Sequence, residues 1–287
     1  MKILEVKQVS YLYGEGTPFA QKALDDVSVG FEAGQITGLI GHTGCGKSTL
    51  VQLLNGLLKP TAGTVLLNGK DIHEKGTDGR AIRAKVGLVF QYPEYQLFEE
   101  TVYADIAYGP KNMGLEDSEI ERRIREAAEF VGIPEECFEV SPFDLSGGQK
   151  RRVAIAGIMA MDPEVLILDE PAAGLDPVGR EEILGGIHSY QRRRNNTVII
   201  VSHSMEDMAR YADHLIVMDH GTIAMSGTCR EIFGHADRLV EVGLDVPQIT
   251  RFMLALKARG VDVRTDVFTV EEARAEILRV RGGNGRA

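Results

Sequence analysis

Apolar residues fall in short runs along this chain, and their period switches repeatedly between that of a strand and that of a helix. Runs within Ile3–Val9 and Leu24–Phe31 predict strands on either side of a Gly-rich loop at Gly14–Thr17. Ile36-Thr37-Gly38-Leu39-Ile40 predicts an apolar strand that ends in glycine. Over Lys47–Leu58 the spacing becomes helical, with Leu50, Leu53, Leu54 and Leu57 on one face, and Lys59-Pro60-Thr61-Ala62-Gly63 is expected to stop the helix. A strand at Thr64–Leu67 with a turn at Asn68-Gly69 follows, then a strand at Val86–Phe90. Ser118 and Glu121 have capping-box spacing ahead of Ile120, Ile124, Ala127, Ala128 and Val131. Helices over 150–161, 178–194 and 204–211 then alternate with strands at 165–168, Thr197–Val201 and Leu215–Met218. Such alternation predicts an α/β layered domain with a mainly parallel central sheet.

After about residue 238 the pattern becomes purely helical. Pro247 is placed to open a helix carrying Ile249, Met253, Leu254 and Leu256. Thr269 and Glu272 make a second candidate capping box before Ala273, Ile277 and Leu278, and Gly282-Gly283-Asn284-Gly285 is expected to fray. Residues 239–287 are therefore expected to form a small C-terminal extension. No internal repeat or sustained heptad pattern is present.

Composition narrows the function classes. The 287 residues are 44% hydrophobic and 26% charged, ordinary for a soluble globular protein with a sizeable core. No apolar run approaches the length of a membrane span, and Met1-Lys2-Ile3-Leu4-Glu5-Val6 has no signal-peptide core. The expected location is thus the cytoplasm, unless a partner holds the chain at a membrane. A net charge of −10 argues against nucleic acid as the main partner, since phosphate neutralisation supplies most of that affinity. Cys45, Cys137 and Cys229 are scattered, without metal or disulfide spacing, which suits a reducing compartment.

One segment carries chemistry by itself. Gly41-His42-Thr43-Gly44-Cys45-Gly46-Lys47-Ser48-Thr49 fits the phosphate-loop pattern G-x-x-x-x-G-K-[ST] between a predicted strand and a predicted helix. Glycines let successive backbone N–H groups converge on an anion, and the helix start adds partial positive charge. Lys47 would reach the β- and γ-phosphates of a nucleotide and the Ser48 hydroxyl would hold Mg2+, so MgATP binding is the expected activity. Cys45 lies inside this loop. It reads as a tolerated small residue rather than a redox sensor, and its alkylation is expected to block ATP sterically. Asp169-Glu170 follow the apolar strand Val165-Leu166-Ile167-Leu168. Two acids there fit a carboxylate on the metal side, Asp169, and a general base for the attacking water, Glu170. Leu145-Ser146-Gly147-Gly148-Gln149 is a second Gly-rich turn opening a helix, hence a second candidate anion site.

Taken with the phosphate loop, the Asp169-Glu170 pair, Gln91 and His203 in this order, that last segment makes residues 3–235 resemble the ATPase subunits of ATP-binding cassette (ABC) proteins. The resemblance implies a P-loop NTPase core at 1–238, with an N-terminal antiparallel β region, a helical subdomain at approximately 92–160, and the small C-terminal helical extension at 239–287. It implies that Tyr13, with Tyr11 as the fallback, stacks on adenine. Gln91 would touch Mg2+ and the attacking water, Glu170 would be the base, and His203 would contact the γ-phosphate. Ala173-Gly174-Leu175-Asp176 would line a dimer interface. Ser146, Gly147, Gly148 and Gln149 would bind the ATP held by a second ABC ATPase subunit.

A narrower likeness rests on Gly16-Thr17-Pro18-Phe19, on Gln91-Tyr92-Pro93-Glu94-Tyr95-Gln96-Leu97-Phe98-Glu99-Glu100-Thr101-Val102, on Asp105–Pro110, and on Arg151-Arg152-Val153-Ala154-Ile155-Ala156-Gly157-Ile158. These segments resemble the ATPases of energy-coupling factor (ECF) transporters. That resemblance implies import of a vitamin or a transition-metal ion from the cytoplasmic face of the cell membrane. The partners implied are a transmembrane coupling protein and a membrane substrate-binding subunit. Glu94, Glu99 and Glu100 are expected to dock basic elements of the membrane partner. Two alternatives differ in class. A soluble ABC ATPase of DNA repair would carry a coiled coil between the two Gly-rich motifs, and none is patterned here. A P-loop kinase would have no need of Leu145–Gln149.

Overall fold

The computed structural model describes residues 1–283. Residues 284–287, part of the tail expected to fray, lie outside the described residues. A hairpin of two long strands, β1 (Lys2–Tyr13) and β2 (Gln21–Glu32), begins the chain, and β3 (Ile36–Gly41) leads from it into α1 (Lys47–Leu54). β4 (Ala62–Leu67) and β5 (Lys70–Asp71) return to the hairpin, giving an antiparallel sheet of order β2-β1-β4-β5. After α2 (Gly79–Lys85) and β6 (Val86–Val89) come three helices, α3 (Val102–Asn112), α4 (Asp117–Val131) and α5 (Gly147–Met159). The alternation then runs β7 (Val165–Asp169), α6 (Pro177–Arg194), β8 (Thr197–Val201), α7 (Met205–Tyr211), β9 (His214–Asp219) and β10 (Thr222–Thr228). Short helices α8 (Cys229–Gly234) and α9 (Ala236–Glu241) precede α10 (Gln248–Ala258) and α11 (Val270–Gly283).

The second sheet has the order β10-β9-β3-β8-β7-β6, parallel throughout except for β10. Its central strands read as continuous apolar runs because both faces are covered. Alternate side chains serve different cores. Leu166, Leu168, Val198, Ile200, Leu215 and Val217 join the cluster under the helices, whereas Val165, Ile167, Ile199, Val201, Ile216 and Met218 join the cluster shared with α1 and the antiparallel sheet. A smaller cluster of Met253, Val263, Val267 and Ala273 belongs to the C-terminal helices.

Several expectations need correction. α1 stops at Leu54 rather than Leu58, because Asn55 turns its side chain to the carbonyl of Val86 and Gly56 adopts φ +75°. The Ser118–Glu121 box does not form. α4 starts two residues earlier than that box would place it, with Glu116 at its N-cap, and Glu121 instead accepts hydrogen bonds from Tyr103 Oη (2.9 Å) and Arg125 Nε (2.7 Å). The Thr269–Glu272 box does form, but Leu278 faces solvent while Ala273 and Glu276 turn inward.

Candidate functional site

The order of the parallel sheet reverses at β3, with β9 on one side and β8 on the other, and ligands of such sheets bind at the carboxyl ends of strands beside such a reversal. The predicted phosphate loop leaves β3 at this point. Two of its glycines have no room for a side chain. A Cβ on Gly41 would stand 2.5 Å from the Met218 carbonyl oxygen, and one on Gly46, whose φ is +106°, would stand 2.7 Å from that of Ala23. Gly46 also serves as the N-cap of α1 without offering a side-chain acceptor, so the first amides of the helix are not capped by a side chain. Lys47 Nζ bends back over the loop to donate to the carbonyls of Gly41 (2.7 Å) and His42 (3.0 Å). Thr43, Gly44 and Ser48 are exposed along the mouth of the loop.

Cys45 corrects an expectation. Its side chain is fully buried, and its thiol lies 3.7 Å from Lys47 Nζ. A maleimide cannot reach it in the folded protein, so steric blocking of ATP by alkylation is not expected. Tyr13 lies at the end of β1 with its hydroxyl 3.2 Å from Thr49 Oγ1. Its ring is exposed and meets Tyr11 edge-on at 4.8 Å, whereas Tyr11 packs against the core.

Neighbouring strand ends bring the predicted acids to the same edge. Ser48 Oγ donates to Asp169 Oδ2 at 3.3 Å across the gap from α1 to β7. Burial holds the Asp169 carboxyl above the usual carboxylate range; the Ser48 hydrogen bond opposes that shift, and the charge of Glu170 adds to it. A carboxylate and a hydroxyl so placed are hard oxygen donors of the kind Mg2+ takes. Glu170 leaves β7 with φ +53°, held there as its amide donates to Val201 O at 3.0 Å. Its Oε1 lies 2.8 Å from His203 Nδ1, beyond β8. The glutamate is largely buried while the imidazole is 77% exposed, so the histidine can meet a ligand from outside while aligning the carboxylate. Gln91 is exposed just past β6 on the same edge of the sheet.

Ser146–Gln149 lies elsewhere, at the start of α5, which packs on α3 and α4. Ser146 Oγ accepts from the Gln149 amide and Gln149 Oε1 accepts from the Ser146 amide (3.0 Å), a reciprocal cap. Gly147 is exposed, and a Cβ there would meet nothing within 4 Å. Asp176, in the segment expected at a dimer interface, caps α6 by accepting from the Gly179 amide at 2.7 Å.

Sequence reasoning missed one side chain that connects these parts. Arg151, on α5 and only 5% exposed, makes a two-pronged pair with Glu94 (2.9 and 3.1 Å) and also donates to the Ala173 carbonyl. Glu94 therefore points into the protein and is not the docking acid expected of it. Only the inward position of a charged residue within the buried face of α5 could have signalled this. Glu99, partly exposed, and Glu100, exposed, remain at the surface beside an open groove of about 570 Å3 lined by Leu97, Phe98, Tyr108, Met113 and Ile158.

Comparison with known proteins gives the family. The ABC transporter family model matches residues 24–173. The chain is 55% identical over 280 residues to the energy-coupling factor transporter ATP-binding protein EcfA2 of Caldanaerobacter subterraneus subsp. tengcongensis, covering 98% of each protein. It is also 55% identical, over 282 residues and 98% of each, to EcfA2 of Clostridioides difficile. Among solved structures it is similar to cbiO1 from Clostridium perfringens, part of the ABC transporter complex cbiONQ (TM-score 0.75, 38% identity, 88% of this chain and 99% of that one). It is also similar to a dimeric ATP-binding cassette, MJ0796, in a post-hydrolysis state bound to ADP and Pi (TM-score 0.70, 26% identity, 79% and 98%). With its phosphate loop, acidic strand end and second Gly-rich helix start in place, the chain belongs to the ABC transporter family as an ATP-hydrolysing subunit of the energy-coupling factor type.

Proposed function

We propose that the chain works as one half of an ATP-clamped pair of ATPase subunits that drives uptake of a vitamin or a transition-metal ion through membrane partners. The observation that carries this reading is the separation of the two Gly-rich motifs. The phosphate loop opens at the switch point of the parallel sheet, while Ser146–Gln149 is exposed at the end of a helix in another layer. A second subunit, identical or a sibling, lays its Ser146–Gln149 equivalent over the nucleotide held here. In that arrangement Lys47 and the loop amides of Gly41–Thr49 cradle the phosphates, and Tyr13 stacks on the base. Mg2+ held by Ser48 and Asp169, with Gln91 nearby, supplies neutralisation of phosphate charge. Glu170 accepts a proton from the attacking water, and His203 keeps Glu170 aligned while facing the γ-phosphate. Loss of that phosphate removes the group bridging the two subunits, and the pair opens.

No helix among the described residues is long and apolar enough to cross a membrane. In this reading, attachment at the cytoplasmic face comes through partners, and the groove lined by Phe98 and Tyr108 suits that task. Phe98 and Tyr108 are half-exposed there and meet edge-on at 4.8 Å. We assign this groove to the transmembrane coupling protein, with Glu99 and Glu100, which follow the groove-lining Phe98 in the chain, reading basic residues on the partner. Reversing both charges, Glu99→Lys with Glu100→Lys, should weaken co-purification of the membrane subunits about tenfold or more while ATP binding by the isolated subunit stays unchanged. Full assembly of the doubly reversed variant would remove the groove from consideration.

A further inference from the structure

One side-chain cluster is left unused by nucleotide chemistry. His42 Nε2 lies 3.1 Å from Asp219 Oδ1, and His220 Nε2 lies 3.7 Å from the same oxygen. The three candidate ligand atoms all fall within 4.8 Å of one another. We propose that His42, Asp219 and His220 form a binding site for a late first-row divalent metal ion, best probed with Zn2+, that pins the phosphate loop to the turn between β9 and β10.

Four observations carry this. First, the donor set of two imidazole nitrogens and one carboxylate oxygen suits zinc and its neighbours, and three protein ligands leave a position for water. Bonds of about 2.0–2.1 Å in a tetrahedral site put ligand atoms about 3.3 Å apart, and the two contacts to Asp219 already bracket that value. Second, His42 Nδ1 lies 2.9 Å from the Thr43 carbonyl oxygen, which can only accept, so Nδ1 carries a proton. That hydrogen bond is the outer-shell partner that metal-bound histidines use, and it leaves Nε2 as the nitrogen able to offer a lone pair. A lone pair aimed at a carboxylate oxygen needs a cation or a proton between them. Third, the ligands sit on backbone that is already joined. Gly221 N donates to Cys45 O at 3.0 Å, and Asp25 N donates to Gly221 O at 2.9 Å, so the turn and the loop need not move together on binding. Fourth, the site is reachable: His42 and Asp219 are each about 30% exposed, while the His220 side chain is 84% exposed.

The consequence concerns the nucleotide. The carbonyl of His42 accepts from Lys47 Nζ, so a metal that fixes this residue biases the loop holding the phosphates, and metal and nucleotide affinities become reciprocally linked. The site shares no residue with the Ser48–Asp169 pair and takes nitrogen donors that Mg2+ avoids.

The test uses the full chain, freed of metal and nucleotide and titrated with Zn2+ against a chromogenic zinc indicator, with Co2+ absorption as a second readout. His220→Asn removes an imidazole yet suits the φ of +42° at this turn, and Asp219→Asn removes the carboxylate. Each should weaken one equivalent of zinc by more than about tenfold and abolish its tetrahedral Co2+ spectrum, whereas His188→Asn, on α6, should change neither. Wild-type stoichiometry and affinity in both variants, or no tight equivalent in the wild-type chain, would overturn the site and leave an imidazolium–carboxylate pair between His42 and Asp219.

Discussion

Replacing Glu170 with glutamine should lower kcat for ATP hydrolysis by about 10²–10⁴-fold while ATP still binds, because the substitution keeps shape and removes only the proposed proton acceptor. The geometry gives the reason. Glu170 is held by its amide at the end of β7, and its carboxylate meets His203 Nδ1 at 2.8 Å, so glutamine can occupy the same place without disturbing Lys47 or Ser48. Hydrolysis stalls but clamping does not, so the variant should accumulate the ATP-bound pair. Single-turnover hydrolysis and nucleotide titration, measured side by side, check both halves. A loss of less than about tenfold would mean that another group activates the water.

The second large effect is on stability. Glu94→Gln leaves Arg151, 5% exposed, without its anionic partner, and breaking a buried pair in this way costs about 3–5 kcal/mol. That is a large share of the roughly 5–15 kcal/mol that holds an ordinary domain together. Equilibrium urea unfolding should show a clearly lower midpoint. Removing both charges at once, with Glu94→Met and Arg151→Met, should recover most of the lost stability, since no unpaired ion remains. It should not recover activity. Arg151 also donates to the Ala173 carbonyl, tying the start of α5 to the segment that ends in the Asp176 cap, and that tie is lost in the double variant. A double variant as active as wild type would confine Arg151 to stability alone.

These two cases mark what was legible in the sequence. β3, β7 and β8 could be read because burial on both faces makes their residues mostly apolar, without the alternation of a half-buried strand, and Asp169-Glu170 stood out by ending the run Val165–Leu168. His203 and Gln91 could not be read that way: one histidine or glutamine after a strand carries no signal until the fold lines up several strand ends. The elements missed were those whose pattern is weak. β10 is an edge strand on which only Gly227 is buried. α3 carries Gly109 and Pro110 in its last turn, residues that normally argue against helix, and is held by the Thr101 cap and by packing. Glu94 carries no local sign of burial because its partner lies 57 residues away, a separation that no local spacing rule spans. The metal-ligand cluster was hidden for the same reason, as His42 and Asp219 meet only where β9 pairs with β3.

The central claim is that Gly41–Thr49 grips the phosphates of ATP. Isothermal titration calorimetry with MgATP on the wild-type chain and on Lys47→Ala tests it most directly. The account predicts a saturable site in the wild type and a loss of affinity of about a hundredfold or more in the variant, since a charge-assisted contact and its loop geometry go together. Equal binding by the two proteins, or none by the wild type in the presence of magnesium, would contradict it.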